Sequence, residues 1–207
     1  DARMNQGPIA GSFAAAVLMP CAQADEVICA TRLWLERAVI GLNLCPFAKA
    51  VHRKEQIRYA VTAAETPDDL LAELERELGL LASCDPVLID TTLLIHPNAM
   101  SNFIDFHFFL SEANVVVRRL GLEGVLQIAS FHPHYEFAGS HPNDRANYTN
   151  RSPYPMLHLL REASIDRAVA AYPDSAEITD RNIDTLRSLD DEACARIWEC
   201  NRREEEP

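Results

Sequence analysis

The chain has 207 residues, 48% of them hydrophobic, and a formal net charge of -12. That much apolar material can bury a core, which excludes disorder of the whole chain. Its Lys and Arg residues are scattered without a dense basic stripe, which argues against nucleic acid and anionic membrane as partners and favours a small molecule or another protein.

From the N-terminus, residues 11–24 have some likeness to a short secretory apolar region, but a basic leader is missing apart from Arg3, and no stretch reaches transmembrane length. Residues 1–24 are therefore read as an extension, 25–190 as a single domain, and 191–207 as a closing helix with a frayed tail. Asp25 can cap a helix over 26–40, with Gly41 as its stop. Residues 57–64 alternate like a half-buried strand, and Thr66-Pro67 opens a helix whose buried face is Leu70, Leu71, Leu74, Leu78 and Leu81. Residues 87–95 predict a second strand with Asp90 in its middle, ending at His96-Pro97. Ser101 or Asn102 opens a third helix, closed by Gly121, within which His107 is expected to pack. Residues 125–131 predict a third strand ending at His132-Pro133. Helices are expected near 154–171, 175–189 and 191–203.

Strand-helix-strand-helix-strand order implies crossover connections. The fold class expected is α/β, a small mostly parallel sheet of three or slightly more strands covered by helices, with an antiparallel α+β sheet as the alternative. Parallel strands would bring both His-Pro steps to one edge, where ligands of open sheets bind. An antiparallel arrangement would separate them.

The six cysteines, Cys21, Cys29, Cys45, Cys84, Cys194 and Cys200, form no C-x-x-C pair. They are expected as reduced thiols in a cytoplasmic compartment. His132, His134 and Glu136 alternate, so an extended backbone would project two imidazoles and a carboxylate from one face. With His141 or Asp144 they suit a divalent ion such as Zn or Fe. Ser152-Pro153 is expected to start a helix, and Arg151 beside it, with Arg145, Asn150, His158 and Arg161, would receive a carboxylate or phosphate. The competing expectation is that the arginines tie the long loop down. Cys45-Pro46-Phe47-Ala48 resembles the redox motif of glutaredoxin-like domains and omega-class glutathione transferases, although here a helical segment precedes it. Helix-terminal placement would favour a thiolate. Trp34 and Trp198 read as packing residues.

From Trp34 to Leu189 the chain resembles DUF1415, a family of bacterial and plant proteins of unknown function. The carriers are the run Trp34 to Ala48, Phe131-His132-Pro133, and the run Asn147 to Pro155. The resemblance implies one intact domain and no particular chemistry. The leading functional expectation is an enzyme acting on a small anionic metabolite, a metal-dependent hydrolase or oxidoreductase. His132, His134 and His141 would bind the metal, and His96 and Glu136 would act as acid and base. Two alternatives stand beside it: a module that binds a small anion or a metal without turnover, and a thiol-redox protein using Cys45.

Overall fold

The computed structural model describes residues 19–172 and 177–198. Most of the N-terminal extension and the tail beyond 198 lie outside the described residues. Helix α1 (Cys21–Trp34) starts after Pro20, earlier than Asp25 suggested, and runs on as a π-helix over Leu35–Ile40. Helix α2 (Ala48–Arg53) leads to strand β1 (Ile57–Val61) and helix α3 (Pro67–Ser83). As expected, Thr66 caps α3 by accepting the Asp69 N–H at 3.2 Å. Strand β2 (Thr91–Ile95) and helix α4 (Phe103–Arg119) follow, with Asn102 capping the N–H groups of Ile104 and Asp105. Then come strand β3 (Leu126–Phe131), a 3-10 turn over Arg145–Thr149, and strand β4 (Met156–Arg161). Helices α5 (Glu162–Ala170), α6 (Ile178–Ser188) and α7 (Asp191–Trp198) complete the described chain.

The sheet order is β1-β2-β4-β3. Strands β1 and β2 pair in parallel across the α3 crossover, whereas β4 pairs antiparallel with both β2 and β3. The mixed α/β class is as expected; the mostly parallel sheet is not. The cause is the segment 156–161, where a helix was expected and a central strand is found. Leu157 and Leu159 face one side of the sheet, while Met156 joins the cluster on the other. Burial on both faces turns an apolar run into a strand that looks helical in isolation.

On the first face, Leu70, Leu74, Leu78 and Leu81 of α3 and Phe106, Phe109 and Val117 of α4 close over Leu94, Leu126, Leu157 and Leu159. Each fully buried side chain of this size contributes about 1.5–3 kcal/mol. On the second face Trp34, Leu35, Ala38 and Val39 pack on Leu93, Ile95 and Met156, with Trp198 against the rim. Both tryptophans are packing residues, as expected.

Strand β2 begins only at Thr91, because Val87 and Leu88 lie in an exposed turn. Asp90 therefore sits at the strand's entry, half-buried, where it accepts a hydrogen bond from the Ser164 hydroxyl at 2.6 Å. This corrects the expectation of a carboxylate in mid-strand. His107 packs beside the Phe103 and Phe108 rings, at centroid distances of 6.3 and 6.2 Å, but on the exposed side of α4 and not in the core.

Gly41 ends the first helix as expected, but for a steric reason. Its N–H bonds back to the Glu36 carbonyl, and a Cβ at this position would lie 2.3 Å from the Arg37 oxygen. Changing Gly41 to Ala should lower unfolding free energy by about 1–3 kcal/mol, the usual cost of overpacking, measurable as a drop in urea midpoint.

Candidate functional site

Strands β1, β2 and β3 run the same way and β4 runs against them, so the ends of β2 and β3 share one edge with the start of β4. His96 follows β2 and donates its backbone N–H to the Pro155 carbonyl at 3.1 Å. His132 follows β3 and donates its own to the Asn150 carbonyl, also at 3.1 Å. Both imidazoles are fully buried and pack on Phe106, with ring centroids 5.6 Å and 5.3 Å away. The two His-Pro steps thus meet, although β4 separates their strands.

Their hydrogen bonds assign their tautomers. His132 Nδ1 accepts the His134 N–H at 3.0 Å, so the proton sits on Nε2, which donates to the Met100 carbonyl at 3.0 Å. In His96 the Nδ1–H donates to the Ala99 carbonyl at 3.0 Å, leaving Nε2 as a buried lone pair with no partner among the described residues. Burial pushes His96 down to about 4, helped by the neighbouring His132. Burial also lowers His132, with the His134 ring adding to the effect. Together the two imidazoles shape the connection from β2 to α4, including Met100, a non-glycine residue at φ 57°.

The extended geometry expected beyond Phe131 is not found. Pro133 enters a turn closed by the Tyr135 N–H on the His132 carbonyl at 3.1 Å. His132 is therefore buried with both nitrogens engaged, while His134 is exposed and Glu136 half-buried. His141 is exposed, its Nδ1 accepting the Asn143 N–H at 3.2 Å. Among the described residues no group of three or more His, Cys, Asp or Glu could hold a metal ion.

The helix expected to start at Ser152 is likewise replaced by the approach to β4. Ser152 is buried and its hydroxyl donates to the Tyr154 carbonyl at 2.7 Å. Asn150 donates its side-chain amide to the Ser130 carbonyl at 3.1 Å, tying the loop to β3. His158 lies within β4: the Thr91 hydroxyl donates to the Leu159 carbonyl and accepts the His158 Nε2–H at 2.8 Å. Burial brings His158 to about 4. Arg161 donates to the carbonyls of Leu81, Cys84 and Ile89, at 2.6, 2.7 and 3.1 Å for one nitrogen. It thereby closes the glycine-free C-terminus of α3.

Arg145 binds the Leu189 carbonyl and the Asp191 carboxylate, pinning the 3-10 turn to α7. Arg187 grips the adjacent Asp144 through two nitrogens at 3.1 and 2.7 Å and holds that carboxyl down to about 2. Arg151 differs. Its guanidinium lies 4.6 Å from the Tyr148 ring and donates to the Tyr135 and Pro142 carbonyls at 3.2 and 2.8 Å, with no carboxylate partner among the described residues. Arg151 and Arg145 line a hollow of about 360 Å³ with Asn143, Tyr148, Asp191, Cys194 and Ala195.

Cys45 is half-buried between the π-helix and α2, among the residues packed on the Trp34 cluster. Burial pushes its thiol up, against the opposing pull of the Phe47 and Ala48 backbone groups. Residues not singled out from the sequence complete the site. Buried Asn147 accepts the Phe137 N–H and the Ser140 hydroxyl and donates to the His141 carbonyl. Tyr148 lies between the Arg151 guanidinium and Trp198, which it meets edge to face and whose indole donates to the Arg151 carbonyl at 3.2 Å. The Asn-Tyr pair lies inside the string that carried the family resemblance, which was its signal.

The chain belongs to the family described as Protein of unknown function (DUF1415), whose model matches residues 26–196. Comparison with curated proteins and with solved structures gave no match.

The buried His96 makes a pH prediction. Its value is about 4 in the fold against 6.5 ordinarily, so the unfolded chain takes up the proton first as pH falls. Stability should be full above pH 6.5 and decline towards pH 4, by on the order of 3 kcal/mol from this residue. Urea midpoints across that window check it. A His96→Asn variant, which retains a donor for Ala99, should show a shallower decline.

Proposed function

We propose that this DUF1415 member binds a small carboxylate- or phosphate-bearing molecule in the hollow between the 132–155 loop and α7, with Arg151 as the receptor. The observation that carries this reading is the Arg151 guanidinium, fixed by two carbonyls and a tyrosine ring, with no carboxylate partner among the described residues. A fixed guanidinium fork suits a carboxylate or phosphate, and because it is already held in place little further ordering is needed on binding. On the opposite wall Asp191 is engaged by Arg145, so the two arginines leave the lining net positive on a chain of charge -12. Non-catalytic capture fits better than the metal-dependent enzyme first expected, because His132, one of the expected ligands, spends both ring nitrogens on backbone.

One observation favours turnover as a second reading: the His96 Nε2, a buried neutral lone pair with no partner among the described residues. A version relying on zinc or iron would need further ligands, which the described residues do not gather around it.

The test is thermal unfolding with inorganic phosphate, pyrophosphate or citrate, at ionic strength matched with chloride. At one hundred times Kd an anion adds about 2.7 kcal/mol, so Tm should rise for the native chain. In Arg151→Gln the baseline should fall by about 1–2 kcal/mol from the lost carbonyl ties, and the anion-induced rise should vanish. Equal rises in both proteins, or none in the native chain, would refute the proposal.

A further inference from the structure

Helix α4 buries Phe106, Phe109, Ala113, Val116 and Val117 against the sheet, yet Ile104, Phe108 and Val115 are 58, 70 and 50% exposed. With Ser111 they occupy positions 104, 108, 111 and 115, a helical spacing that sets them in one stripe on the outer face. Large apolar side chains aligned in this way mark a contact surface.

We propose that this stripe is where two copies of the chain meet, with their α4 helices antiparallel across a two-fold axis beside Ser111. The stripe suits a self-complementary contact. An axis at that point sets Phe108 against Val115 of the second copy in both directions, and the small Ser111 lets the helices approach closely. Charge supports the same register. Asp105 and Arg119 lie on one flank of the stripe at opposite ends of α4, so the two-fold brings each Asp105 to the second copy's Arg119, which in its own chain reaches Glu75. Glu112 lies on that flank near the axis and meets its own counterpart, which is repulsive. One pair of helices of this length, about 25 Å, covers less than the roughly 800 Å² per partner of a standard interface, so the dimer is a weak, concentration-dependent one.

Sedimentation of the full chain over a range of concentrations tests the proposal. The native protein should pass from monomer to dimer. Phe108→Glu should stay monomeric with unchanged helicity and Tm, because the side chain is exposed. Glu112→Gln should tighten association about twofold, the worth of removing one like-charge pair. A native chain that remains monomeric throughout would overturn the proposal and leave the stripe to a different partner. Dimerisation of Phe108→Glu at native strength would overturn it as well.

Discussion

Strand β4 is hydrogen-bonded on both sides, to β2 and to β3, and antiparallel to each. That double pairing is the constraint from which the rest of the molecule follows. An antiparallel strand begins where its neighbours end, so the chain leaving β3 must double back across the edge before entering β4. The connection over residues 132–155 runs along this edge, past the end of β2, and its backbone polar groups need partners. His96 and His132 supply two of them by extending the ladders to the Pro155 and Asn150 carbonyls.

The same geometry explains why the imidazoles are buried. Each side chain faces the α4 side of the sheet against Phe106, where a charged ring would be costly, so both remain neutral; His132 spends both nitrogens on nearby backbone and His96 spends Nδ1. Through Met100 and His134 one imidazole couples the β2–α4 connection to the turn after β3. The histidines behave mainly as clips that build a fixed edge, and the bare His96 Nε2 is what this construction leaves over.

Arginine ties distant parts of the fold together in two distinct ways. Arg58 and Arg76 neutralise Glu77, which is fully buried on α3; such pairs specify a register more than they add net stability. Arg151 and Arg161 instead donate to carbonyls, which satisfies the backbone but leaves their charge in place. For Arg161 those carbonyls include the end of a helix, where a cation is favourable. For Arg151 the charge faces a hollow, and the proposed anion site rests on this asymmetry.

Local sequence determined a good deal. Caps at Thr66 and Asn102, the leucine face of α3 and the alternation of β1 are short-range signals, and the structure has each of them. Proline and histidine at the strand ends located the edge on which the site stands. What needed tertiary structure was the identity of residues 156–161, because an apolar run reads as helix or central strand according to how many of its faces are covered. The failed H-x-H-x-E geometry has the same origin, since Pro133 permits an extended path or a turn, and the turn prevailed once β4 called the loop back along the edge. Which arginines would be neutralised was equally hidden: Arg145 and Arg151 look alike in the sequence, and only the packing of α7 beside one of them supplied a carboxylate. Periodicity and capping are encoded within a few residues, whereas strand order and charge pairing depend on neighbours distant in the chain.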